Sequence, residues 1–320
     1  MRKYVYSIIC FVLWLSFLSP VQAQNTCFCV MAQDGRLLYG TGLHQTQSVA
    51  SISKVMTAIV AMEHGDLSMK ITIGEEINDA QGSSIYLKEG ETYTLEELLY
   101  GLLLRSGNDA ANSIANAVGG KEENFVRWMN EKADELGMKD TLFRNPSGLD
   151  EEDGGNLSSV FDMALLMNDA MDHDEFAKIT SAKSYTNEKG EQWINKNKLL
   201  SQYSYAIGGK TGYTKKAGRT LVSCAKKDDL QVVIVTFQVS DDFLFHQQYY
   251  ERAFDEYETI ALLKKGTYRI AGKDLQILKD ERITKRKDAL YQVNETCDET
   301  GYRLEANSED HTVVYSHSWR

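Results

Sequence analysis

Positive charge is in short supply. Lys and Arg number 35 against 46 Asp and Glu, a formal charge of -11. That balance argues against a nucleic-acid partner, which calls for a basic face, and against adsorption to an anionic membrane surface. Cysteine is scarce, five in 320 residues, and metal-ligand spacing is missing: neither a second Cys pair nor a His pair complements Cys27 and Cys29. His64 and His173 have no helix partner at metal spacing, so no metal or other cofactor is expected. No second apolar run follows the one at the N-terminus, and there is no internal repeat or low-complexity segment. Proline is nearly absent too; after residue 23 only Pro146 remains, in the turn Asn145-Pro146-Ser147-Gly148.

Ordinary apolar and charged fractions, 42% and 25%, describe a globular chain. Arg2 and Lys3, the apolar run 4–18, Pro20 and Val21-Gln22-Ala23 read as a signal peptide cut after Ala23. The run is short for a span, which needs roughly 20 apolar residues; an uncleaved anchor is the alternative. The mature chain is therefore expected to be secreted and to work outside the cytoplasm. Its end, residues 310–320, is strand-like without a basic amphipathic face, so membrane association after cleavage is expected to be weak or absent. Cys27 and Cys29 share one face of a strand, too splayed for good disulfide geometry. Buried thiols are expected, with a bridge from Cys224 to one of them as the alternative; the state of Cys297 stays open.

Strands are expected at 26–31 and 36–39 around the turn Gln33-Asp34-Gly35, and at 206–213, 220–225 and 230–239, the last a nearly continuous β-branched run. Helices are expected at 94–104, with a Thr94/Glu97 cap, and at 110–118, 122–136, 160–171 and 243–264. Strands at both ends and helices between them predict one mostly antiparallel sheet with helices on its faces, an α+β arrangement. The expected division is a signal peptide (1–23), a main domain (24–264) and a small β domain (265–320).

Ser51 and Lys54 stand one turn apart at the start of a helix whose apolar positions are Ile52, Val55, Met56, Ile59 and Val60. A hydroxyl and an amine so placed form a plausible nucleophile and base, and the helix dipole favours negative charge near Ser51. The pair is weak alone: a capping serine and a solvated lysine would look the same, and Ser223 and Lys226 repeat the spacing in a strand, where they point to opposite faces. Further along come Ser106-Gly107-Asn108, between two helices, and Lys210-Thr211-Gly212, on a strand. A phosphate loop ending at Gly209-Lys210-Thr211 would need glycine at 204, where Ser204 stands.

These three motifs, in this order, are the signature shared by class A β-lactamases and penicillin-binding proteins. Together with ASISKVMTA, QGSSIYLKEGETYTLEELLYGLLLRSGNDAANSIA, FRNPSGL, DMALLM and GGKTGYTKKAGRTLVSCAKKDD, they make the chain resemble the low-molecular-mass penicillin-binding proteins that act as serine-type D-alanyl-D-alanine carboxypeptidases. The likeness covers Cys27 to about Leu263 and, faintly, the β appendage; Val49 departs from the proline often found there. It implies a penicillin-binding/β-lactamase-like transpeptidase fold, a peptidoglycan stem peptide as substrate and β-lactams as covalent inhibitors.

In that setting Ser51 attacks the carbonyl of the penultimate D-alanine. Lys54 takes its proton if burial and a nearby cation, expected to be Lys210, keep it neutral. Ser106 relays a proton to the leaving amine, Asn108 holds the acyl-donor amide and Lys54, Lys210 and Thr211 hold the terminal carboxylate, and Gly212 permits close approach at the strand edge. The resemblance assigns the oxyanion donors to the backbone N–H groups of Ser51 and Tyr213. A β-lactamase would carry a further glutamate for the deacylating water; Glu151 and Glu152 lack that context. A non-catalytic sensor or wall-binding module would be expected to have membrane spans or a lost motif, and neither is seen.

Overall fold

The computed structural model describes residues 26–78, 80–150, 154–278, 280–309 and 311–318. The expected signal peptide and the acidic pair Glu151 and Glu152 lie outside them.

Five strands form the main sheet: β1 (Cys27–Ala32), β2 (Leu37–Thr41), β3 (Ala206–Thr214), β4 (Gly218–Lys227) and β5 (Leu230–Phe237). Their order is β2-β1-β5-β4-β3; the pairing is antiparallel throughout and joins strands from both ends of the domain, the mostly antiparallel sheet that the sequence predicts. β5 lies at the centre, and its alternate residues feed two cores. Val233, Val235 and Phe237 join the larger core beneath the helices, while Leu230, Val232 and Ile234 join a second core under the last helix. Burial on both faces explains why this strand reads as an unbroken apolar run.

Helices α1 (Lys54–His64), α2 (Leu95–Tyr100), α3 (Asn108–Gly119), α4 (Glu122–Glu135), α5 (Val160–Met171), α6 (Asp174–Ser181), α7 (Leu199–Gln202) and α8 (Asp242–Glu256) cover the sheet. α2 opens with the expected capping box, Thr94 Oγ1 accepting from Glu97 N at 3.1 Å and Glu97 Oε2 accepting from Thr94 N at 2.9 Å. The expected helix 94–104 is α-helical only to Tyr100 and continues as a π turn, Gly101–Arg105.

A second correction concerns 243–264. The helix stops at Glu256, and Tyr257–Leu263 is strand β6, paired with Glu281–Arg286. No glycine or proline marks the change. The carboxyl-terminal β unit that follows contains β7 (Gly266–Ile270), β8 (Lys273–Ile277), β9 (Glu281–Arg286), β10 (Gln292–Cys297), β11 (Gly301–Ser308) and β12 (His311–Ser318). It has its own small core around Leu275, Ile283, Tyr302 and Leu304. The β1–β2 turn docks against it: Asp34 accepts from Thr284 N at 2.5 Å, and Arg36 Nη1 donates to Thr284 O at 2.9 Å.

Among the described residues no disulfide forms: Cys27, Cys29 and Cys224 are buried thiols, and Cys297 is an exposed one. Cys29 and Cys224 flank β5 on opposite sides, facing Val235 and Val233, so the bridge considered above does not form. Burial pushes the Cys29 thiol up to about 12, leaving it a small hydrophobic group.

Behind the sheet His246 is fully buried, sharing hydrogen bonds with Ser223 Oγ at 2.7 Å and Thr236 Oγ1 at 3.0 Å. Both partners are neutral, and burial lowers its pKa from 6.5 to about 3. The folded protein thus keeps the ring neutral while the unfolded chain protonates it below about 6.5. Stability is expected to be independent of this group above that pH and to fall as pH drops towards 3, by up to about 1.4 kcal/mol per unit. Thermal melts between pH 7 and 4.5 check this; a slope no shallower in His246→Gln would place the acid sensitivity elsewhere.

Candidate active site

Two strained backbone positions present the two serines. Ala50, just before Ser51, has φ 52°, and Ser106 has φ 66° after the π turn. Left-handed non-glycine residues cost free energy, and such positions cluster at functional sites. Ser51 sits in the 3-10 turn Ala50–Ser53 that runs into α1. Gly212 on β3 lets the turn press against the strand: a Cβ there would lie 3.0 Å from Ser51 N and 2.4 Å from Thr220 Oγ1.

Lys54 is wholly buried. Its Nζ lies 3.2 Å from Ser51 Oγ and 2.6 Å from Asn108 Oδ1, and it also donates to the Ser147 carbonyl. Burial, assisted by the charge of Lys196 and opposed by Asp109, lowers its pKa to about 7. A neutral amine has two N–H groups and one lone pair. With Asn108 and Ser147 as fixed acceptors, the lone pair is left for the Ser51 hydroxyl.

The Ser147 carbonyl had no sequence signal, since a main-chain group contributes there. Its turn is held close by Gly148, at φ 76°, where a Cβ would strike the Ala50 carbonyl oxygen. Asn108 opens α3 rather than lying in the preceding loop, and its amide donates to Gln81 O. The adjacent Asp109 carboxylate accepts from Ser84 Oγ and from the backbone N–H groups of Ile85 and Leu87. This fixes the loop that carries Ser83.

Ser51, Ser106, Thr211, Gly212 and Tyr213 line one cavity of about 870 Å³. Lys54, Asn108 and Lys210 lie beneath its surface. Lys210 is 1% exposed, and its Nζ donates to Thr211 O at 2.7 Å. Burial and the charges of Lys54 and Lys196 hold its pKa well below the usual lysine range. The cation that bears on Lys54 is thus Lys196, which the sequence reading missed in an unremarkable polar stretch. Lys196 lines the cavity and donates to Ser83 Oγ at 3.0 Å. Ser223 and Lys226, which repeat the spacing, take no part: Ser223 faces His246 and Lys226 is exposed.

Among the described residues, Glu63, Asp169 and His173 are the one group with metal-ligand geometry. Lys132 Nζ already stands 2.8 Å from Glu63 and 3.8 Å from Asp169, and supplies the positive charge there.

An antiparallel five-stranded sheet with helices on both faces and a serine–lysine pair under its edge strand is the architecture of the penicillin-recognising serine enzymes. Within that class the chain belongs to the D-alanyl-D-alanine carboxypeptidase family, Peptidase_S11, whose profile matches residues 19–241. It is 36% identical over 244 residues to the D-alanyl-D-alanine carboxypeptidase DacF of Bacillus subtilis, a match covering 72% of this chain and 62% of that protein. The chain therefore spans less than two thirds of that relative's length. Penicillin-binding protein 5 from Haemophilus influenzae shares the fold over 94% of this chain and 97% of its own, with a TM-score of 0.76 at 24% identity. Penicillin-binding protein D2 from Listeria monocytogenes, solved in its ampicillin-bound form, superposes with a TM-score of 0.65 at 26% identity, covering 71% of this chain and 96% of its own.

Proposed function

We propose that this chain is a serine D-alanyl-D-alanine carboxypeptidase that removes the terminal D-alanine from peptidoglycan stem pentapeptides on the cell-wall side of the membrane. The observation that carries the reading is the buried Lys54 amine, with two fixed acceptors and its remaining position turned to Ser51 Oγ.

Ser51 Oγ attacks the penultimate D-alanine carbonyl while its proton passes to Lys54. The backbone N–H groups of Ser51 and Tyr213 receive the oxyanion. The tetrahedral intermediate collapses by breaking the amide C–N bond, and the proton taken up by Lys54 is relayed through Ser106 to the departing amine of D-alanine, which returns Lys54 to its neutral form. Water, deprotonated by Lys54, then hydrolyses the Ser51 ester. Asn108 orients the acyl-donor amide as well as Lys54. Thr211 holds the terminal carboxylate, with Lys210 behind it, and Gly212 lets the peptide lie along the edge of β3 as an added strand. β-Lactams enter as mimics of the D-Ala-D-Ala end.

The purified protein is expected to release D-alanine from a pentapeptide ending in D-Ala-D-Ala and not from the all-L analogue. Equal release from both, or none from either under conditions where penicillin binds, would overturn the reading.

A further inference from the structure

Asp109 comes directly after the Asn108 that holds Lys54, but it is 3% exposed and does not line the cavity. The mechanism above gives it no task. Its carboxylate nonetheless gathers donors from one earlier loop. Oδ2 accepts from Ser84 Oγ at 2.5 Å and from Leu87 N at 3.1 Å, and both oxygens share Ile85 N at 3.1 Å. Oδ1 also accepts from Ala110 N at 2.9 Å, in the first turn of α3. One side chain thus closes residues 84–87 on the start of that helix.

The loop so held meets the reacting groups at two points. Ser83 O accepts from Asn108 N at 2.7 Å and Gln81 O accepts from Asn108 Nδ2, which leaves Asn108 Oδ1 turned to Lys54. Ser83 Oγ accepts from Lys196 Nζ at 3.0 Å. The glycine of Ser106-Gly107-Asn108 has its reason here. Its φ of -59° suits any residue, but a Cβ would lie 2.8 Å from Asp109 Oδ1 and 3.3 Å from Ile85 Cγ1. Space is kept at Gly107 for the carboxylate and for the loop it holds.

Charge adds a second role. Lys54, Lys196 and Lys210 oppose one another, and Arg105 adds its charge at Lys196. With cations alone around it, Lys54 would be neutral over a wide range but a poor base, because proton-transfer driving force falls with proton affinity. Asp109 is the anion that acts against them at Lys54. Backbone donors fix the carboxylate in place, and burial leaves its field little screened.

We propose that Asp109 is a positioning residue for acylation: it clamps residues 84–87 to the start of α3, so fixing Asn108 and Ser83, and supplies the counter-charge that keeps Lys54 an effective base. This rests on the carboxypeptidase reading.

The test follows acylation of Ser51 by penicillin, read as intact mass against time at a series of pH values. Asp109→Asn removes the charge. It is expected to lower the plateau rate by about tenfold while moving the acid limb down from about 7 by about one unit. A loop merely loosened would slow acylation and leave the limb in place. Ser84→Ala keeps the charge, removes one donor, and is expected to do just that, slowing acylation by roughly threefold or more. A limb that stays or rises in Asp109→Asn would overturn the inference, as would a Ser84→Ala protein as fast as the wild type. Should Asp109→Asn take no drug at any pH, the rate of Ser84→Ala decides. A wild type that takes no penicillin would instead overturn the carboxypeptidase reading, and this inference with it.

Discussion

Penicillin is expected to leave a long-lived adduct on Ser51, seen as a rise in intact mass equal to the whole drug, and Ser51→Ala is expected to show none. The lactam carbonyl meets the same nucleophile as the peptide, but the opened ring stays attached to the acyl group. No leaving group departs to clear a path for water, so Lys54 is obstructed as a base for deacylation. On the pentapeptide, Ser51→Ala should lose activity by at least about 10⁴-fold, in line with removal of a nucleophile in other serine hydrolases. Rapid turnover of penicillin without an adduct would make the protein a β-lactamase. An adduct that survives Ser51→Ala would place the nucleophile elsewhere.

A similarly large effect is expected at Lys54. The amine works as a base only when neutral, and its pKa of about 7 places that transition near neutrality rather than near 10.4. kcat/KM on the pentapeptide should therefore rise with pH through about 7 and level off above it. Lys54→Arg keeps a cation but cannot deprotonate. Acylation in that variant should fall by about 10²–10⁴-fold, the usual contribution of a general base. An acid limb near 10, or one that persists unchanged in Lys54→Arg, would assign the proton transfer to another group.

Much of this was legible in the sequence for physical reasons. Ile52 to Val60 repeat at helical spacing because one side of α1 is core, and Leu230–Phe237 is continuously apolar because β5 is buried on both faces. Ser51, Lys54 and the strand motif could be read because side chains at fixed spacing mark them, and the structure brings Ser51, Thr211 and Gly212 to one cavity with Lys54 against Ser51. What escaped detection works otherwise. Ser147 contributes a carbonyl, and Lys196 a charge delivered across space from a polar stretch. Asp109 clamps residues 84–87, which no local pattern brings to it. The end of α8 was misplaced because the helix-to-strand change at Tyr257 carries no breaker, and only pairing with Glu281–Arg286 selects the strand.

The order of the main sheet also bears on how the chain folds. Its central strand, β5, pairs with β1 from Cys27↔Phe237 onwards, so the first described strand waits for one some 210 residues later. Neither core can close around β5 until that segment has been made. Such long-range pairing carries a large loop-closure cost and slows folding. A chain cut short before Leu230 would leave β1 and β2 as an isolated hairpin, marginal at best in water, and the serine and lysine without the sheet against which they are set. Folding of this domain is thus a late event, committed only when nearly all of it is present.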